Sequence, residues 1–178
     1  MAVQVLIRVN KVIDYQPLKR KTSKSVQREE QIKNLSELTG LTEDQIVLRF
    51  GYYLSQIVKL RIKDSVAKQK VGNKRFSTVY KPLSEEYKKR KRYNTRDKFW
   101  INTGRLINSI EVWRWKNRIF VGIKDKEVHK LILFLEKGTK NGVPARPLVF
   151  PIIKNISSRI DAYFNQYVVL EQNGKLKY

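Results

Sequence analysis

The chain has 178 residues, with 38 Lys and Arg against 16 Asp and Glu, a formal charge of +22 and no cysteine. An apolar content of 41% supports a packed core and excludes a disordered polycation, while the missing cysteines exclude disulfides, thiolate catalysis and zinc–thiolate sites. No apolar run approaches the roughly 20 residues that cross a bilayer, and MAVQVLIRVNK lacks the pattern of a signal peptide, so folding in a cytoplasm without a membrane partner is expected.

In chain order, the β-branched stretch 3–9 (VQVLIRV) predicts a first strand. Residues 15–31 are polar and basic and read as a loop or arm, with a short helix over 29–38 ended by Gly40. Thr42 and Gln45 have the spacing of a capping box, and Glu43 and Asp44 suit a first helical turn. Ile46, Phe50, Tyr53, Leu54, Ile57 and Val58 then repeat at helical spacing, predicting an amphipathic helix from 43 to near 69, about 40 Å long, with Gly72 as its stop. Ser84 is placed to cap a short helix from Glu85, and Thr103 to cap another over GRLINSI. EVWRW and RIFVGI flank Lys116-Asn117, a hairpin spacing that sets Trp113 and Trp115 on one strand face. Asp125 opens a helix through VHKLILFLEK, and Gly138 offers its left-handed stop. Pro151 begins a final helix carrying Ile152, Ile153, Ile156, Ile160 and Phe164. The tail 168–178 turns around Asn173-Gly174 as a tail or small hairpin. One domain over 1–178 is expected, of the α+β class: a mostly antiparallel sheet packed by the long helix and the C-terminal helix, with an extended basic N-terminal arm.

Catalysis finds little support. His129 sits at an ordinary position in an apolar helix, no nucleophile–base pair is evident, and no His–carboxylate cluster has metal-ligand spacing. GTKNG lacks the order of a phosphate-binding loop and follows a helix instead of a strand. No catalytic residue, metal, cofactor or small-molecule substrate is assigned, and a nuclease would need clustered carboxylates that the sequence does not offer. A basic DNA- or RNA-binding protein is the stronger alternative: Lys88, Lys89, Arg90, Lys91 and Arg92 run together beside Tyr87, Tyr93 and Trp100, a mixture of bases and stacking aromatics suited to nucleic acid or to an acidic partner. A solvated lysine face has the same composition.

Three further segments occur in order: PLSEEYKKRK (82–91), TGRLINSIEV (103–112) and FLEKGTKNGVPARPLVFPI (134–152). From the residues alone, Gly104 permits a tight turn into a helix, and Gly138 supplies positive φ at a helix end. Pro144 and Pro147 stiffen a loop so that little entropy is lost on docking, and Arg146 between them is placed to meet a carboxylate such as Glu136, within one subunit or across a boundary.

With these segments the sequence resembles the tail-completion, or virion-morphogenesis, proteins at the neck of tailed bacteriophages. Pro82, Leu83, Ser84, Tyr87 and Lys91 match the first element of that family. Thr103, Gly104, Leu106, Ser109 and Ile110 match the second, and Glu136, Gly138, Thr139, Pro144, Ala145, Arg146 and Pro147 the third. Lys137 stands where an aromatic is commoner. The likeness covers residues 80–155. It implies a non-enzymatic virion protein, made in the host cytoplasm, that forms a ring of six or twelve copies. The ring would join the portal–adaptor complex to the tail around the DNA channel, touching packaged DNA only non-specifically. Thr103, Gly104, Arg105, Glu136, Gly138, Thr139, Pro144, Arg146 and Pro147 are the expected contacts with subunits or partners.

Overall fold

A computed structural model of the chain describes residues 6–8, 23–68, 70–72, 77–79, 84–90, 104–115, 118–138 and 144–176. The elements are β1 (Leu6–Arg8), α1 (Ser23–Thr39), α2 (Glu43–Ala67), β2 (Lys70–Gly72), β3 (Ser77–Val79), α3 (Glu85–Arg90), α4 (Arg105–Asn108), β4 (Ile110–Trp115), β5 (Arg118–Ile123), α5 (Lys126–Lys137), α6 (Val149–Ser158) and α7 (Ile160–Gln172). The fold is therefore α+β. One sheet has the order β1-β5-β4; β2 and β3 form a separate antiparallel pair with Lys70 opposite Val79 and Gly72 opposite Ser77. The two-residue link between β4 and β5 is too short for a crossover, so these neighbours are the expected antiparallel hairpin.

Internal contacts divide the chain into two units, one built from residues 57–111 and 122–155, the other from 6–56, 112–121 and 156–178. In the second unit, α2 begins at the expected capping box: Gln45 N–H donates to Thr42 Oγ1 at 3.3 Å, and Thr42 N–H donates to Gln45 Oε1 at 2.8 Å. Ile46, Phe50 and Leu54 are buried along one stripe of this helix. Phe164 of α7 meets Phe50 edge-on at 5.1 Å, and the fully buried Tyr167 donates its hydroxyl to the Ile46 carbonyl at 3.1 Å. On the strand side, a Cβ added to Gly51 would lie 2.8 Å from Ile119 Cγ2 and 3.0 Å from Val112 Cγ1. Glycine is what lets helix and hairpin approach so closely, and it outweighs the cost of about 1 kcal/mol that glycine brings to a helix interior. Trp113 stacks on Phe120 at 5.7 Å across the hairpin.

Several expectations are corrected. The basic stretch 15–31 is helical from Ser23 on, with 15–22 outside the described residues. Tertiary partners explain this. Buried Ile32 and Leu35 anchor α1, Arg28 pairs with Asp161, and Gln31 bonds Asn165 of α7. Helix α2 stops at Ala67, so Gly72 is not its terminator but the end of β2, paired with a strand that the sequence had hidden in three-residue pieces. The Pro151 helix starts earlier, at Val149, and divides at Arg159, whose N–H falls back on the Ile156 carbonyl at 3.1 Å. Residues 168–172 continue α7 instead of forming a hairpin. Its end is a Schellman closure, with Gly174 N–H on the Glu171 carbonyl and Lys175 N–H on the Leu170 carbonyl, both at 3.0 Å. No described helix is long and apolar enough to cross a membrane.

Candidate functional site

All three ordered segments fall within the unit of residues 57–111 and 122–155, apart from Val112 at the end of the second. The best-defined part is the corner between α5 and α6. Asp125 caps α5, accepting from Glu127 N–H at 2.9 Å and Val128 N–H at 3.2 Å. Val128, His129, Ile132 and Glu136 form the buried stripe of this helix. At its end Gly138 has the expected positive φ of 74, which favours glycine, but with ψ −179 it is extended and not the left-handed helical stop.

The Glu136 carboxylate does not pair with Arg146. Its Oε1 accepts from the backbone N–H groups of Leu148 (2.8 Å), Val149 (2.6 Å) and Phe150 (3.3 Å) at the start of α6. A new helix leaves its first amides without intrahelical partners. Here the next residue, Pro151, has no N–H, and Ile152 N–H already reaches the Leu148 carbonyl at 3.3 Å. One side chain, distant in sequence, thus supplies the whole N-terminal cap and explains why α6 starts before Pro151. Burial pushes the Glu136 carboxyl above the usual glutamate value, against the three amides that pull it down. Arg146 is buried as well; its backbone N–H donates to the Leu135 carbonyl at 2.7 Å, tying the Pro-Ala-Arg-Pro turn to the end of α5. Burial draws its guanidinium below the usual value, and Tyr87 acts in the opposite sense.

The second segment joins the same unit through Arg105, whose guanidinium meets the Asp125 carboxylate at 2.7 Å. The cap position of α4 is Gly104, with φ 76 and no side-chain cap, and Thr103 lies outside the described residues. In the first segment Ser84 caps α3 as expected, its Oγ accepting from Tyr87 N–H at 3.3 Å. Of the basic run, Lys88 pairs with Glu85 at 2.7 Å and Arg90 with Glu86, while exposed Lys89 adds to the charge that holds the Glu85 carboxyl below its usual value. Lys91, Arg92 and Thr139 also lie outside the described residues. Pro144 and Pro147 are half-buried, Arg105 is exposed, and Glu136 and Arg146 are interior. The expected contact residues therefore separate into an interior set that builds the corner and an exposed or half-buried set around it.

A charge account shows what sequence reading missed. Residues 57–111 and 122–155 carry 23 Lys and Arg against eight Asp and Glu, a net +15, while the rest of the chain carries 15 against eight, a net +7. Every described carboxylate of the first unit is already engaged. Asp64 meets Lys68 at 2.7 Å, Glu111 meets Lys124 at a loose 4.0 Å and Glu127 meets Lys130 at 3.0 Å; Glu85, Glu86, Asp125 and Glu136 are held as above. Among the described residues of this unit no carboxylate is left for Lys59, Arg61 and Lys63 of α2. The signal was present in the sequence but hidden by the stronger amphipathic pattern of that helix. His129 Nε2 is buried with no hydrogen-bond partner, and no group of His, Asp or Glu could hold a metal ion, among the described residues.

Compared with family models, with curated proteins and with solved structures, the chain matches none.

Proposed function

We propose that this chain is a structural protein of a bacteriophage neck, a ring-forming tail-completion or head–tail connector protein that works by docking and not by turnover. The observation that carries the reading is the convergence of the three ordered segments. PLSEEYKKRK, TGRLINSIEV and FLEKGTKNGVPARPLVFPI follow one another with gaps of 11 and 21 residues and, apart from Val112, fall in one unit. There Arg105 pairs with Asp125 at the head of α5, and Glu136 joins the end of α5 to α6. The interior Glu136 and Arg146 hold the shape of the corner, while exposed Arg105 and the half-buried prolines are the surface it offers to a neighbouring subunit or to the next ring of the virion.

A heterologous interface repeated around an axis closes into a ring, so the mass of the purified protein decides the matter. Mass photometry and negative-stain class averages at rising concentration are expected to reach closed rings of six or twelve copies. A protein that stays monomeric at the highest concentrations would overturn the reading and favour a stand-alone nucleic-acid-binding protein.

A further inference from the structure

We infer that the second half of α2 is a binding surface for the phosphate backbones of double-stranded DNA. Val58, Ile62 and Val66 turn one side of the helix into the core. At 3.6 residues per turn the opposite side is then fixed. Leu60, 62% exposed, Asp64 and Ala67 form the outermost ridge, with Lys59 and Lys63 down one flank and Arg61 and Lys68 down the other. Only Asp64 stands among them, and it pairs with Lys68. Lys59, Arg61 and Lys63 consequently present charge that the described residues of their own unit do not neutralise.

The arrangement selects the partner. A helix with its side chains is about 10–12 Å across, close to the roughly 12 Å width of a DNA major groove. Cations on both flanks of a narrow ridge, whose one carboxylate is paired with Lys68, suit a helix lying between two phosphate strands. An acidic protein surface would instead be met by an apolar centre with charges at its rim, and this ridge is only Leu60 and Ala67 beside Asp64, whose charge is met by Lys68. Lysine predominates over arginine, which fits point-charge contact with phosphates more than bidentate reading of bases, so binding is independent of sequence. The inference rests on the charge account and holds for a monomer or a ring alike. Its failure would leave the neck reading standing, and the converse is also true.

The test uses the full chain and a labelled mixed-sequence duplex of about 30 base pairs, with affinity followed by anisotropy across a salt series. The triple variant K59Q/R61Q/K63Q is expected to flatten the slope of log affinity against log salt by about 3 and to lose on the order of 100-fold in affinity near 0.1 M salt. K33Q/R159Q/K175Q removes as many charges from the other unit and should leave the slope nearly unchanged. Poly-glutamate of equal total charge should compete poorly. Should the triple variant fail to fold, as judged by circular dichroism, K59Q and K63Q separately should each reduce the slope by about 1. Absence of binding at low salt, equal losses in the two triple variants, or displacement of duplex by poly-glutamate at equal charge would each overturn the inference.

Discussion

Replacing Glu136 with alanine removes the acceptor of three amides at once. Leu148 and Val149 are 0% and 2% exposed, so water reaches their N–H groups only if the corner opens. The Phe150 bond, at 3.3 Å, is long and is discounted. The two short bonds run to a carboxyl oxygen, and a buried donor left unsatisfied costs about 1–3 kcal/mol. The expected destabilisation for E136A is about 3–5 kcal/mol in urea unfolding, with a fall in Tm of roughly 10 °C for a chain of this size. E136Q keeps an oxygen at the Oε1 position and sheds the cost of burying charge, so it should lose far less, about 1 kcal/mol. The pH dependence follows from the raised carboxyl. The folded chain holds the Glu136 proton more tightly than the unfolded chain does. Its contribution is therefore full below the ordinary glutamate value and is lost as pH rises through the folded one. E136Q should be flat across that window. The account of the corner is refuted if E136A unfolds with the wild type, or if E136Q is as damaged as E136A, since the second outcome would mean that charge and not amide capping is at work.

Other substitutions probe the second unit and the head of α5. G51A forces a methyl to 2.8 Å from Ile119 Cγ2; overpacking outweighs the gain in helix propensity, and a net loss of about 1–2 kcal/mol is expected by denaturant titration. Y167F deletes only the bond to the Ile46 carbonyl and should cost about 1 kcal/mol, whereas F164A empties the aromatic cluster and should cost about 3–5 kcal/mol, both read by thermal melts. Asp125 is held below the usual aspartate value by Arg105 and by the Val128 and Glu127 amides. Its contribution is present above the unfolded value and is lost as pH falls through the folded one, and D125N should remove that acid-side loss from the stability–pH profile.

What could be read from sequence was local. The Thr42–Gln45 box, the Ser84 and Asp125 caps and the positive φ of Gly138 each depend on residues within one turn of one another, and the β4–β5 hairpin needed only a two-residue gap between β-branched runs. What escaped depended on distant partners. Helix α1 is drawn out by Asp161 and Asn165, more than 130 residues further along the chain. The start of α6 is set by a carboxylate 13 residues before it, whose role pattern reading gave to an arginine pair. β2 and β3 are three-residue strands, too short for periodicity to register.

The closures also differ in the time at which the chain can make them. Glu136 reaches amides 12 to 14 residues away, so the α5–α6 corner closes a short loop and can form as soon as those residues are available. The bonds from Ile46 to Tyr167 and from Arg49 to Glu171 span 121 and 122 residues, and the unit they close has the other unit inserted within its sequence. During synthesis, α1 and α2 must wait for α7 with Phe50 and Leu54 uncovered while the inserted unit completes its own corner. Slow assembly and exposure to aggregation therefore belong to the α1–α2–α7 unit, which makes it the part of the molecule whose folding rate should respond most to separating α2 from α7.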